Sequence, residues 1–167
     1  KNITTGEGRM LTTNDDSIAK KLRILRNQGQ EIRYKHTHLG FNYRMTELQA
    51  ALGIVQLKSL EERLKRKEKI INNYNNAFSS SKLIKTPYIP NYVTRHAWYM
   101  YTISIDEGVN RDKLAEQLDK SGIETRKSFP PVHIQPYYKD KFGYKQNDYP
   151  VTFKAWEQLL NLPISPN

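Results

Sequence analysis

The chain has 167 residues, and its 27 Lys and Arg against 17 Asp and Glu give a formal charge of +10. Hydrophobic residues make up 37% and charged residues 26%, which suits a soluble globular chain long enough to bury a core. Cys is absent, which excludes disulfides and thiolate metal sites and favours a cytoplasmic setting. No apolar run reaches membrane-spanning length, and no signal-peptide pattern opens the chain. The basic excess suits a polyanion, because counterion release favours nucleic acid, and it equally suits a small anion such as a nucleotide diphosphate. The charges are spread along the chain without a compact basic run interleaved with aromatics, so nucleic acid is the weaker alternative. His36, His38, His96 and His133 show no metal-ligand spacing, and no metal is expected.

In chain order, "GEGRMLTT" reads as a tight turn feeding a short strand, with Gly6 and Gly8 permitting the turn. "NDDSIAKKLRILRNQGQ" is an amphipathic helix, capped by Asn14 or Asp15 and ended by Gly29, with Ile18, Leu22 and Leu25 on one face. "EIRYKHTHLGFNYRM" has no clean period and reads as a loop. Thr46 and Gln49 then form a capping box before a helical stretch to about Phe78. Leu48, Leu52, Val55, Leu60, Leu64, Ile71, Tyr74 and Phe78 give it a buried stripe, and Glu61–Lys65 and Glu62–Arg66 are solvated pairs. As one helix it would run about 50 Å, which marks it as a strut joining two bodies.

"FSSSKLIKTPYIPNY" is a linker, and a small α+β unit follows. "AWYMYTISI" is a strand, "NRDKLAEQLDKSG" a helix capped by Asn110 and closed by Gly122, and "IETRKSF" a second strand stopped by Pro130 and Pro131. "VTFKAWEQLLNLP" is a final helix-like segment after Pro150. The domain organisation is therefore residues 1–45 as the end of one domain, 46–80 as a connecting helix, and 81–167 as a small α+β domain.

Two stretches carry candidate chemistry. A lysine such as Lys1 captures a carbonyl only where its neutral amine is populated, and otherwise is a solvated charge. In "GFNYRMTELQAALG", a Gly, an Asn and an Arg precede a capped helix, where backbone N–H groups and the Asn42 amide could hold a phosphate. The alternative is a plain helix-entry loop with Arg44 facing water.

"KNITTGEGRMLTTND", "GFNYRMTELQAALGIVQL", "GIETRKSFPPVHIQPYY" and "NLPISP" together resemble, in order and spacing, the DegT/StrS-type sugar-nucleotide aminotransferases. These are pyridoxal-phosphate (PLP) enzymes of the aspartate-aminotransferase α/β fold. The resemblance implies that the chain corresponds to the C-terminal part of such an enzyme: the end of the large domain, the long helix and the small domain, with a last helix cut off after Asn167. Lys1 would carry the PLP Schiff base. Asn42 would reach across a homodimer interface to the PLP phosphate of the partner subunit. His133 would stand at the mouth of the active site near the sugar nucleotide, and Arg44 and Arg126 could meet its diphosphate. The family usually has Gly at the position of Arg9, where a need for positive φ would strain an arginine.

The implied reaction is a two-stage transamination from an amino donor, usually L-glutamate, to a keto-sugar on a nucleoside diphosphate. Lys1 would move the proton between substrate carbon and cofactor. A related branch dehydrates sugars with His at this position, so Lys1 points to transfer. The same resemblance sets the acidic partner of the pyridine nitrogen and most phosphate contacts upstream of Lys1. A polypeptide limited to these residues is therefore expected to be inactive. The rival reading is a non-catalytic, basic interaction domain built on the long helix.

Overall fold

The computed structural model describes residues 1–165; Pro166 of the fourth motif, Asn167 and the expected cut through a last helix lie outside the described residues. The chain divides into two compact units, Lys1–Glu61 and Glu62–Asn167. The division falls within residues 46–80.

In the first unit "GEGRMLTT" turns at Gly6 (φ +76°) but forms no strand, and Met10 and Leu11 are exposed. A strand there would need a neighbour for its backbone groups, and none flanks it in this unit. The anticipated strain at Arg9 does not arise. Among the described residues, left-handed φ at non-glycines falls at Gln28, Tyr34 and Trp98.

Helix α1 (Asp16–Arg26) starts where Asp15 Oδ1 accepts from the N–H groups of Ser17 and Ile18, at 2.8 and 3.1 Å. It ends through Gln28 and Gly29, both in the left-handed region. The segment that reads as a loop then forms a small antiparallel hairpin, β1 (Gln30–Ile32) and β2 (Lys35–His36).

Beyond the hairpin the chain returns across the end of α1. A helix leaves its last carbonyls without intrahelical partners. Here Leu25 O and Arg26 O accept from the N–H groups of Phe41 and Tyr43 at 3.1 and 2.8 Å, while Gln28 N–H donates to Phe41 O at 2.9 Å. Two glycines allow the approach. A Cβ on Gly29 would overlap the carbonyl of His38, and one on Gly40 would run into Gly29 N and Leu25 O.

The expected single helix from 46 to 78 is two: α2 (Glu47–Lys58) and α3 (Leu60–Phe78). The Thr46–Gln49 capping box forms. The interruption is Ser59, whose hydroxyl turns back onto the carbonyls of Val55 and Gln56. The expected buried stripe divides there too. Leu64 and Ile71 are buried and Tyr74 and Phe78 pack on the core, but Leu48 is 84% exposed and Leu52 and Val55 are also exposed. Helix α2 is apolar on nearly every side and buries none of its residues within this chain.

The second unit is built on a four-stranded antiparallel sheet in the order β3-β4-β6-β5. Its strands are β3 (Ile84–Lys85), β4 (Tyr101–Ile105), β5 (Arg126–Lys127) and β6 (Leu159–Leu162). Tyr101, Ile103 and Ile105 alternate inward and meet Ile71 of α3, Trp98, Leu160 and Ile164 in one core. Strand β4 begins later than "AWYMYTISI" suggests, because Trp98 adopts φ +49° and turns its ring into the core. Helix α4 (Arg111–Lys120), capped by the Asn110 side chain, and the short α5 (Pro136–Phe142) follow the sheet's connections.

The last segment departs most from its local propensity. Helix α6 (Pro150–Gln158) gives way directly to β6, although "WEQLLNLP" favours helix. Pairing Leu160 with Ile103 in the core outweighs that preference. Arg111, 7% exposed, clasps the junction: its Nη1 donates to the carbonyls of Trp156 (2.7 Å) and Leu159 (3.3 Å), and its Nε donates to Asp112 Oδ1.

Arg111→Met should lower the unfolding free energy by about 2 kcal/mol, read by urea denaturation, because two carbonyls lose a charged donor. The Asp112 carboxyl is held below its ordinary value of 3.8, chiefly by the hydrogen bond from Lys127 and also by Arg111. Its contribution is present above that value and lost as pH falls through the lowered one, so Asp112→Asn should flatten the acid limb of a stability–pH curve. Gly40→Ala should cost more than about 2 kcal/mol and quicken amide exchange at Phe41 and Tyr43.

Candidate functional site

The Lys1 segment turns back at once. Gly6 N–H donates to Thr4 Oγ1 (3.1 Å), and the Thr5 hydroxyl donates to Glu7 O (2.9 Å). This turn lies against the second motif. A Cβ on Gly53 of α2 would press on the Thr5 methyl at 3.1 Å, and one on Gly8 would reach the Met45 side chain at 2.8 Å. The first unit thus packs the "TTGEG" turn beside the end of "GFNYRM" and the start of α2. Lys1 itself is exposed.

Asn42 and Arg44 are in direct contact. Asn42 pairs through an isolated bridge with Asn27, and its exposed side chain accepts from Arg44 Nε at Oδ1, 3.0 Å away. The backbone on either side is fixed to the end of α1 through Phe41 and Tyr43. Arg44 also borders two shallow concavities of about 390 and 530 Å³. The larger is lined on α1 by Lys20, Arg23 and Arg26. Their i, i+3, i+6 spacing is the signal in the sequence for this basic face. Within it Glu31 pairs with Lys20 at 3.1 Å, and that hydrogen bond and charge hold its carboxyl below its usual value.

The two remaining candidates lie in the second unit. Arg126, on β5, is exposed and pairs with Glu124 at 3.4 Å. Its backbone carbonyl accepts from Asn161 Nδ2, whose Oδ1 in turn accepts from Thr102, so a polar ladder crosses β5, β6 and β4. His133 is 7% exposed in a 3-10 turn, Val132–Ile134. Its Nε2 lies 3.2 Å from Gln146 O, and since a carbonyl only accepts, that nitrogen carries the proton. The Tyr149 ring packs on it at 4.9 Å.

An amide held beside a guanidinium can donate to a phosphate, and an exposed primary amine can condense with an aldehyde, the two functions that a phosphorylated aldehyde such as PLP would call on. Among the described residues, no cluster of three or more His, Asp or Glu could hold a metal ion, and no helix is long and apolar enough to cross a membrane.

The spore coat polysaccharide biosynthesis protein SpsC of Bacillus subtilis is 38% identical over 183 residues, covering 100% of this chain and 47% of that protein. The GDP-perosamine synthase of Caulobacter vibrioides is 43% identical over 143 residues, covering 83% of this chain and 38% of that protein. The crystal structure of S. venezuelae DesV, in complex with a ketimine intermediate, superposes with a TM-score of 0.81 at 31% identity, covering 93% of this chain and 41% of that one. This chain therefore spans less than half the length of these relatives. The model of the DegT/DnrJ/EryC1/StrS aminotransferase family matches residues 1–167, and the chain belongs to that family.

Proposed function

We propose that the protein transfers an amino group from L-glutamate to a keto-sugar linked to a nucleoside diphosphate, using PLP. The product would be an amino sugar for a surface polysaccharide or a related glycan or secondary metabolite, made in the cytoplasm. The observation that carries this reading is the match of the aminotransferase family model across residues 1–167, with Lys1 and Asn42 both exposed on the first unit.

When bound, PLP supplies an electron sink for the carbon that loses its proton. Everything else falls to side chains. The Lys1 amine would hold the cofactor and, when free, would move the proton between the substrate carbon and the cofactor, as a neutral base and then an acid. Asn42 donates to the phosphate of the cofactor held by the other subunit of a homodimer, so each site draws on two chains. Arg126, exposed on β5, meets the diphosphate of the nucleotide. His133 acts at the mouth of the site. With Nε2–H committed to Gln146 O, it keeps the "FPPVHIQPYY" loop in shape around the sugar nucleotide.

In a polypeptide that joins these residues to the large-domain portion the resemblance sets upstream of Lys1, glutamate labelled with ¹⁵N should pass its nitrogen to one member of a panel of nucleotide-linked keto-sugars, seen by mass spectrometry of the product. Lys1→Ala should reduce that transfer by at least about a thousandfold, since its amine is the group assigned to move the proton at that carbon. Transfer that persists in Lys1→Ala, or no labelled product across the panel, would reject the assignment.

A further inference from the structure

Asn42 is held at its backbone and exposed at its side chain. An exposed amide ordinarily swings about its terminal torsion and presents either oxygen or nitrogen to a ligand. Arg44 removes that choice. A guanidinium has donors only, so the atom facing Arg44 Nε at 3.0 Å is the carbonyl oxygen Oδ1. The Nδ2 hydrogens then point away from the arginine, as donors. The reversed amide would set its NH2 against the guanidinium and present an acceptor oxygen to an anion, which repels it.

We propose that Arg44 is a positioning residue that fixes the Asn42 amide with its N–H donors outward, so that Asn42 binds the cofactor's phosphate. This rests on the assignment of Asn42 to that phosphate, and it gives Arg44 work through Asn42 in place of direct contact with the nucleotide diphosphate. The short reach favours this division: two residues of separation and a loop clipped to α1 keep the guanidinium beside the amide it orients.

The test compares the dissociation constants of PLP and of pyridoxal, which lacks the phosphate, by absorbance titration of the purified protein with the large-domain portion upstream of Lys1 present. Asn42→Ala and Arg44→Met should each weaken PLP about tenfold and leave pyridoxal unchanged. Adding Arg44→Met to Asn42→Ala should weaken PLP no further, because the amide to be oriented is gone. Arg44→Lys, whose ammonium can still donate to Oδ1, should recover most of the affinity and covers the case in which Arg44→Met unfolds. If Arg44→Met weakens PLP equally with and without Asn42, arginine touches the phosphate itself and the proposal is overturned. It is also overturned if Arg44→Met leaves PLP binding unchanged while Asn42→Ala weakens it. If Asn42→Ala has no effect on PLP, the phosphate assignment fails first and the positioning role with it.

Discussion

The end of α1 needs partners for its last carbonyls, and the chain between Gly40 and Tyr43 supplies them. That requirement fixes the first unit. Leu25 and Arg26 would otherwise leave their carbonyls without a protein partner, and the chain that meets them is fixed by these bonds. The donors that meet them flank Asn42, so satisfying the helix also aims the amide. Gly29 and Gly40 make this possible because any side chain on either would push the two backbones apart. The contact that caps the helix thus also sets the position of Asn42, and both glycines act through the backbone.

The second unit rests on a different arrangement. Its sheet is closed by a strand that local preference would make helical, and the core supplies the reason. Leu160 and Tyr101 are fully buried on paired strands, and fully burying an aliphatic side chain such as Leu160 is worth about 1.5–3 kcal/mol, more than the helix preference of a few residues. Arg111 then secures the point where helix becomes strand, with Trp156 stacked on its guanidinium at 5.5 Å. Ile164 joins the same core immediately before the "NLPISP" motif runs out of the described residues.

Elements with chemical punctuation were legible in the sequence. Asp15, Thr46 with Gln49, and Asn110 each announce a helix start, and each caps one. The hairpin was not legible. Its strands are too short to show alternation, and its turn uses Tyr34 at φ +66° where Gly or Asn would have signalled a reversal. The helix break at Ser59 and the switch into β6 escaped because both are decided by contacts distant from, or folded back on, the local pattern. At the candidate site, residue types and their order suggested Lys1 and Asn42 through family likeness. The orientation of the Asn42 amide was beyond reach, because it depends on which atom Arg44 faces. The basic face of α1 was readable from its spacing, but helix-end lysines and arginines have an ordinary explanation that hid it.

Helix α2 sets a condition on biosynthesis. Within this chain it leaves Leu48, Ile54, Val55 and Leu57 largely in water, and Ile24 is the buried hydrophobic of the first unit among the described residues. The second unit, by contrast, owns a closed core. A nascent polypeptide would therefore expose α2 before the second unit's sheet can close, since β6 is the last of its strands along the chain, and would carry α2 as a sticky segment until other surfaces enclose it. The concentration of covering surface, and the chaperones that shield α2 meanwhile, would then govern the yield of native protein more than the intrinsic strength of either unit.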